Sequence, residues 1–493
     1  MYEDLKFKSL WEKLLFLLKD TAIYGIAGAF NQFIKIFTVP FVARFYTKED
    51  FGSNDLLNTL LFLTVPFVFF GLDSAIARFY FEYEDEKRKR QLVFFCFSFG
   101  IILSIACMLI LYTFESQICS VFLNVKEVHD SYQVIIWTVP FLFISSFFTN
   151  IFKYNFNRKS YLLQTVGGGF ITVLLTFIFV VFFKLPIVWT LIAHLISRIL
   201  LSVAAFFHAT SLMEFSIESV EWKPIMMFAM PFMVTSVLGI WIPSMDRFVL
   251  TSYLGVSFVA IYVFGQRITG LLSLPLKSFH TAWGPFSMAL YKEESASKTY
   301  TKTLQYSTFV LCLFSILIMA LQKPLVLVLG SEKYIDATRV IPLLSLFVII
   351  QNLLGILSTG ISLSKKSHFF IISYVISIGI SYSCMRFLLI PFDIAGVASG
   401  LLIGQFFNML FLDFISKKTY PQLKIQANSS IMLFLITSLF AVIFTLLNYW
   451  LWWQQFILGF ILAIVMLLFF YNIVLCQDER VAIKNKLRAI NIL

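Results

Sequence analysis

Long apolar stretches alternate with short polar connections along the whole chain. Each stretch is continuous and about 20 residues or longer, which is enough for a helix to cross a membrane. A transmembrane β-barrel would instead show shorter segments of alternating polarity. The pattern predicts an all-α polytopic membrane protein with about fourteen transmembrane helices, near 21–46, 54–81, 91–113, 131–152, 161–183, 186–208, 224–252, 258–284, 303–321, 338–362, 369–390, 393–414, 429–450 and 453–475.

The first twenty residues have a different pattern. Leu10 and Leu14 fall on an apolar helix face, while Glu12 and Lys13 fall on the opposite side. Residues 1–20 are therefore predicted to form an amphipathic helix on the membrane surface, and not a cleavable signal peptide. The alternative is a simple extension of the first span.

Lys and Arg residues are unevenly divided between the connections. One alternate set, together with both terminal segments, carries 24 of them, and the other set carries five. Because cytoplasmic connections are enriched in basic residues, this bias predicts that both termini are cytoplasmic.

A weak internal repeat recurs at an offset of about 208 residues. Tyr83 in "EYEDE" corresponds to Tyr291 in "LYKEE", and residues 50–52 correspond to 258–260 at the same offset. Six spans per repeat predict two six-helix lobes related by a parallel pseudo-twofold axis around a central cavity. The predicted segments are a lobe at 21–208, a cytoplasmic linker at 209–223, a second lobe at 224–414, two extra helices within 429–475 and a cytoplasmic tail at 476–493.

Composition narrows the classes of function. Hydrophobic residues make up 59% of the chain and charged residues 13%, so lipid must replace much of a soluble core. The net charge of +11 lies mainly in short loops on one side, which argues against a nucleic-acid partner. The six cysteines have neither metal-ligand nor disulfide-framework spacing, and no catalytic constellation or phosphate-binding loop is evident, so no metal or cofactor is expected.

Polar residues inside two spans recur at helical spacing. In the first span, Asn31 and Lys35 share a face with Gly28 and Thr38. In the eighth span, Gln266, Ser273 and Lys277 share a face, and Arg267 is one step round. Because charges within a membrane usually face a protein interior or water, both faces are predicted to line the cavity. For Lys35, a structural pair with an acid is the alternative. For Lys277, which is nearer the cytoplasm, snorkelling is the alternative.

The sixth and seventh spans add further candidates. His194 and Arg198 lie at i, i+4, where the histidine either takes part in proton coupling or is simply a hydrogen-bonded packing residue. Asp246 either pairs with Arg267 and leaves Arg247 free, or forms with Arg247 a brace at the outer gate. Asp73 is a further gate or ion-coupling candidate, with Na⁺ or H⁺ as the coupling ion.

Cations outnumber acids within the predicted spans, which favours an anionic guest. Guanidinium groups suit phosphate oxygens, so a diphosphate headgroup carried by a lipid fits, whereas a cationic drug does not. The predicted substrate-binding cations are Lys35, Arg198, Arg247, Arg267 and Lys277. Asn31, Gln266 and Ser273 are predicted polar lining, and Asp73, Asp246 and His194 are the gate or ion-coupling candidates.

An ordered set of short motifs resembles one known family. They are "VPFVARFYTKEDFG" (39–52), "GLDSAIARFY" (71–80), "DRFVLTSYLG" (246–255), "VAIYVFGQRI" (259–268) and "AWGPF" (282–286). The set is similar to the Wzx-like oligosaccharide and polysaccharide flippases of the multidrug/oligosaccharidyl-lipid/polysaccharide (MOP) exporter superfamily, over roughly residues 20–415.

This resemblance implies a transporter of the bacterial cytoplasmic membrane. Such proteins move undecaprenyl-diphosphate-linked oligosaccharides to the outer leaflet for O-antigen, capsule or related polymers, so membrane lipids, a polysaccharide polymerase and glycosyltransferases are the implied partners. Three alternatives stay open: a peptidoglycan-precursor flippase, a small-solute antiporter of the same fold, and a membrane-embedded polymerase or glycosyltransferase.

Overall fold

A computed structural model describes most of the chain after its first 26 residues. The described residues are 27–28, 30, 33–34, 37–83, 85–120, 128–155, 157–218, 220–290, 296–364, 366, 368–475, 477 and 479–481. The predicted surface helix at 1–20 lies outside them, as does most of the first predicted span.

Helices account for all regular structure within these described ranges. The α-helices are α1 (Thr38–Phe45), α2 (Lys48–Phe69), α3 (Leu72–Glu82), α4 (Glu86–Thr113), α5 (Glu115–Ile118), α6 (His129–Tyr154), α7 (Arg158–Leu162), α8 (Gly168–Phe177), α9 (Val188–Ala209), α10 (Trp222–Trp241), α11 (Met245–Tyr253), α12 (Val256–Leu290), α13 (Ala296–Ala320), α14 (Gln322–Leu329), α15 (Ile341–Leu357), α16 (Thr359–Leu363), α17 (His368–Thr419), α18 (Asn428–Leu446) and α19 (Trp452–Phe469). Turns of π-helix occupy Leu163–Gly167, Ile178–Phe182 and Phe470–Val474, and 3₁₀ turns occupy Thr210–Leu212, Ile242–Ser244 and Glu332–Arg339.

The predicted class is confirmed: the chain is an all-helical, multi-pass membrane protein. In the described part, 11 helices are long and apolar enough to cross a membrane, and the bent pair α2–α3 makes a twelfth. Every predicted span from the second onward coincides with one of these helices. Two of the predicted spans, 369–390 and 393–414, share α17, which breaks at Asp393, where φ is +48°. The total of about fourteen spans stays a prediction.

The bend between α2 and α3 is required by close packing. The two helices meet at 44° through Phe70 and Gly71, which both have positive φ. A Cβ atom on Gly71 would lie 2.1 Å from the carbonyl oxygen of Ala229 in α10. Only glycine combines this backbone conformation with such an approach, so Gly71 lets α10 pack against the bend.

The described chain divides into two compact units. The first comprises the described residues up to Val263 together with Lys277–Ala282 and Leu329–Ser331, and the second comprises Phe264–Leu276, Trp283–Val328 and everything from Glu332 onward. Helix α12 contributes to both units. The predicted boundaries of lobes, linker and tail stay predictions.

The first unit has an aromatic core where α4 packs on α6. The Phe97 ring lies 5.1 Å from that of Phe148 and 5.7 Å from that of Phe147. A Cβ on Gly100 would meet the Phe143 ring at 2.1 Å, so the missing side chain makes room for that ring. Helix α9 packs on the same α6, which is therefore the central helix of this part of the unit.

The second unit packs its helices through small and amide side chains. In α15, Asn352 donates to the hydroxyls of Ser307 and Thr308 in α13 at 3.0 and 3.3 Å. The two halves of α17 lie against each other where Gln405 donates to the Ser377 hydroxyl at 2.8 Å. In lipid, such polar contacts and small residues help to hold helices together in place of a hydrophobic driving force.

Candidate functional site

Three charged side chains form a buried cluster in the first unit. The Arg247 Nε atom donates to Asp55 Oδ2 at 2.8 Å, and its Nη1 atom donates to Asp246 Oδ1 at 3.0 Å. The exposed fractions of these side chains are 14% for Arg247, 12% for Asp55 and 0% for Asp246. The fully buried Tyr262 lies beside Asp246.

The local backbone explains how these groups converge. The 3₁₀ turn Ile242–Ser244 separates α10 from α11, and Arg247 Nη1 also donates to the carbonyl of Pro243 at 2.9 Å. Helix α2 begins with a capping box in which the Thr47 hydroxyl accepts from the Asp50 amide and Asp50 accepts from the Thr47 amide. Asp55 therefore lies about two turns inside α2, within reach of Arg247.

The contact between Asp246 and Arg247 bears on the two interpretations of Asp246. Asp246 accepts from Arg247, as the bracing interpretation requires, and Arg247 is not left free. With all three groups ionised, the cluster carries one net negative charge, which does not favour an anion. Its role in substrate binding, like its place at an outer gate, stays a prediction.

Asp55 was missed by the sequence analysis. It follows Glu49 and Asp50 closely, so it resembles part of a polar connection, and it lies 192 residues from its partner. The second predicted span, 54–81, includes Asp55 only at its edge. The Thr47–Asp50 capping pattern was the available signal that the helix begins at Lys48 and holds Asp55 two turns inside it.

Arg198 and His194 lie together at a polar cavity in the first unit. Arg198 Nε donates to His194 Nε2 at 3.2 Å, and Arg198 Nη1 donates to the Ser145 hydroxyl at 3.0 Å. The cavity has a volume of about 280 Å³. Both residues line it, and their predicted roles in substrate binding and proton coupling stay predictions.

The eighth-span candidates fall in different units. Gln266, Arg267 and Ser273 lie in the second unit, whereas Lys277 groups with the first. Gln266 and Arg267 are partly buried, and the Ser273 hydroxyl donates to the Gly270 carbonyl of its own helix at 2.7 Å. Lys277 is exposed. Their roles in binding stay predictions.

The remaining candidates lie in the first two spans. Asp73 is in the first turn of α3, and its backbone carbonyl accepts from the Tyr154 hydroxyl at 3.2 Å. Asn31 and Lys35 lie outside the described residues. Among the residues that the structure does describe, no group of three or more His, Cys, Asp or Glu side chains is arranged to hold a metal ion.

Sequence comparison identifies related proteins over much of the chain. A family model described as "Polysaccharide biosynthesis protein" matches residues 17–291. A Haemophilus influenzae protein described as "Uncharacterized membrane protein" is 23% identical over 292 residues, covering 57% of this chain and 67% of that protein.

Structural comparison identifies the fold. A structure described as lipid II flippase MurJ in an inward closed conformation has a TM-score of 0.70 at 15% identity, covering 92% of this chain and 99% of that one. An inward-facing multidrug resistance MATE transporter of the MOP superfamily has a TM-score of 0.68 at 14% identity, with 82% and 99% covered. A MOP superfamily transporter from Pyrococcus furiosus has a TM-score of 0.65 at 15% identity, with 83% and 97% covered. At these identities the likeness establishes a shared fold.

Proposed function

The chain belongs to the polysaccharide biosynthesis protein family, and on that premise we propose that it is a flippase for a lipid-linked oligosaccharide. Its substrate is an undecaprenyl-diphosphate-linked glycan, moved from the inner to the outer leaflet of the cytoplasmic membrane by alternating access. The product supplies O-antigen, capsule or a related surface polysaccharide.

The family match carries this proposal, because it joins polysaccharide synthesis to a chain built almost wholly of apolar helices. The fold adds support, since a lipid II flippase and MATE transporters share it. Coupling to Na⁺ or H⁺, and partnership with a polymerase and glycosyltransferases, are parts of the same proposal.

The cavity beside Arg198 in the first unit also supports an anionic guest. It is lined largely by hydroxyl and amide side chains, and the part of its lining that the structure describes contains no carboxylate. Guanidinium groups donate to phosphate oxygens in a planar fork, which suits a diphosphate headgroup. A multidrug transporter for cations would require the opposite charge.

A peptidoglycan-precursor flippase is the second candidate. It is favoured by the lipid II flippase structure, which covers 92% of this chain. Both candidates predict a lipid-linked diphosphate guest, so the identity of the accumulated glycan separates them.

A gene deletion tests the function directly. Without the protein, a finished lipid-linked oligosaccharide should accumulate and remain inaccessible to a membrane-impermeant oxidant in right-side-out vesicles. Lipid-linked glycans would be profiled by mass spectrometry after complementation with wild type, Lys35→Ala, Arg267→Gln or the control Arg339→Gln. Arg339 is half exposed and already paired with Asp336, so its variant should rescue like wild type.

The outcomes separate the classes of function. Accumulation on the cytoplasmic side, rescued by wild type and poorly by Arg267→Gln at equal membrane level, supports a flippase with a cationic cavity. Accumulation of lipid II in place of an oligosaccharide transfers the assignment to the peptidoglycan precursor. A translocated but unpolymerised unit indicates an enzyme, and unchanged lipid-linked glycans exclude the proposal.

A further inference from the structure

A polar cavity lies inside the first unit, apart from the Asp55–Arg247–Asp246 cluster. It is bounded by α6, by the α7–α8 segment and by α9, and its lining includes Ser146, Thr149, Gln164, Thr172, His194 and Arg198. None of the thirteen lining residues in the described ranges is acidic. The cavity volume of about 280 Å³ is many times the roughly 10–15 Å³ that one water molecule needs.

Arg198 brings an uncompensated positive charge to this cavity. Its hydrogen-bond partners are two neutral groups, the His194 ring and the Ser145 hydroxyl. Within the described part of the chain, Arg198 takes part in no ion pair, and its second terminal nitrogen, Nη2, has no hydrogen-bond partner. Arg198 is partly buried and lines the cavity.

Such a charge needs compensation in a membrane span. An unpaired ion is costly in a low-dielectric interior, and charged residues in spans usually pair with one another or serve a pathway. The positions of Ser145 and His194 hold the guanidinium in place with Nη2 still available. The counter-charge is therefore expected to come from a ligand.

A π-helical turn contributes to the wall of the cavity. Leu163–Gly167 forms this turn, and it carries the lining residues Gln164 and Thr165. Gln164 Nε2 donates to the Leu201 carbonyl at 2.9 Å, and the Ser197 hydroxyl donates to the Gly168 carbonyl at 3.1 Å, so the wall is tied to α9. Single π-turns inside α-helices often occur at functional sites.

We infer that this cavity is a binding site for a phosphate-bearing anion, with Arg198 as the residue that binds the phosphate. The fork of the guanidinium matches phosphate oxygens, and the Ser146 hydroxyl and the Asn150 amide supply neutral donors for the remaining oxygens. The Thr149 and Thr172 hydroxyls already donate to the carbonyls of Ser145 and Gly168. The inference deepens the proposed function and rests on it for the source of the phosphate, which is expected to be a lipid-linked diphosphate.

Binding to the purified full-length chain tests the site without transport. Inorganic diphosphate, undecaprenyl diphosphate and undecaprenol would each be titrated against protein in a maltoside detergent, which contains no phosphate. The variants are Arg198→Gln, which removes the charge at similar size, Arg198→Lys, which keeps the charge without the fork, and the control Arg339→Gln.

Arg198→Gln should weaken diphosphate binding by about 10- to 100-fold, the range expected for losing charge-assisted hydrogen bonds. Arg198→Lys should fall between it and wild type, and Arg339→Gln should bind like wild type. In the absence of ligand, Arg198→Gln should melt no lower than wild type, because it removes an unpaired charge.

Two results would overturn the site: equal binding by Arg198→Gln and wild type, or no binding of either diphosphate compound. Preference for undecaprenyl diphosphate over inorganic diphosphate and undecaprenol identifies a lipid headgroup as the source, whereas equal affinity for both diphosphates identifies a free anion. Failure of the deletion experiment with intact binding would reject the proposed flippase and retain the phosphate site.

Discussion

Arg247 compensates two buried carboxylates at once. The seventh span therefore contributes an arginine whose charge is paired within the protein. A guanidinium fork can donate to both groups, as the 2.8 and 3.0 Å contacts show. Its charge is then already balanced within the protein. Arg247 and Arg198 thus differ in kind, because the first stabilises two acids of the chain and the second has only neutral partners.

Removing Arg247 should destabilise the protein more than removing either acid. Arg247→Gln leaves two carboxylates buried close together, and breaking a buried ion pair from one side typically costs about 3–5 kcal/mol. Asp55→Asn keeps the Arg247–Asp246 contact and should cost less, about 1–3 kcal/mol for one weakened charge-assisted hydrogen bond. Thermal melting of the purified variants in one detergent gives the order.

The pair Arg78–Glu82 supplies a matched control for this series. Its side chains are 53% and 48% exposed. Arg78→Gln should therefore lower the free energy of unfolding by about 1 kcal/mol or less, which is much less than the loss expected for Arg247→Gln. Equal losses for Arg247→Gln, Asp55→Asn and Arg78→Gln would contradict a buried three-residue cluster.

At the scale of the element, α17 shows how one long apolar stretch becomes two spans. Its break at Asp393 returns the chain against itself, and Gly396, Gly400 and Gly404 recur every four residues along the second half. This small-residue spacing lets two helices approach closely in a membrane. A Cβ on Gly400 would lie 2.4 Å from the backbone nitrogen of Met385 in the first half.

Gly400→Ala should therefore destabilise the protein by about 1–3 kcal/mol, because the added methyl group meets backbone atoms that cannot rotate away. Gly379→Ala is the matched control within the same helix, since a Cβ there meets nothing within 4 Å. That control should be neutral or stabilising by up to about 1 kcal/mol, because alanine lowers the entropy of the unfolded chain. Thermal melting compares the two, and a Gly400→Ala protein as stable as Gly379→Ala would contradict the close packing.

At the scale of the whole molecule, hydropathy predicted the fold class and the placement of the described helices, including the return near residue 393. The family match also confirms the resemblance drawn from motifs in 39–52 and 246–268. The pairing of Asp55 with Arg247 could not be predicted from the sequence, because hydropathy and helical spacing describe one helix at a time. A contact across 192 residues depends on how α2 packs against α11.

The orientation of the whole chain is the prediction that the basic-residue bias makes most directly. Lys417 and Lys418 lie in the last turn of α17, and Lys424 lies in the connection between α17 and α18. No Lys or Arg lies between α18 and α19, so the connection before α18 should be cytoplasmic and the one after it external. In a background without native cysteines, a membrane-impermeant maleimide on intact cells should label Tyr449→Cys but not Gln422→Cys. Tyr449 is 74% exposed and Gln422 is also exposed, so both should react once the membrane is permeabilised. The reverse pattern on intact cells would invert the topology, place both termini outside and reverse the direction of the proposed transport.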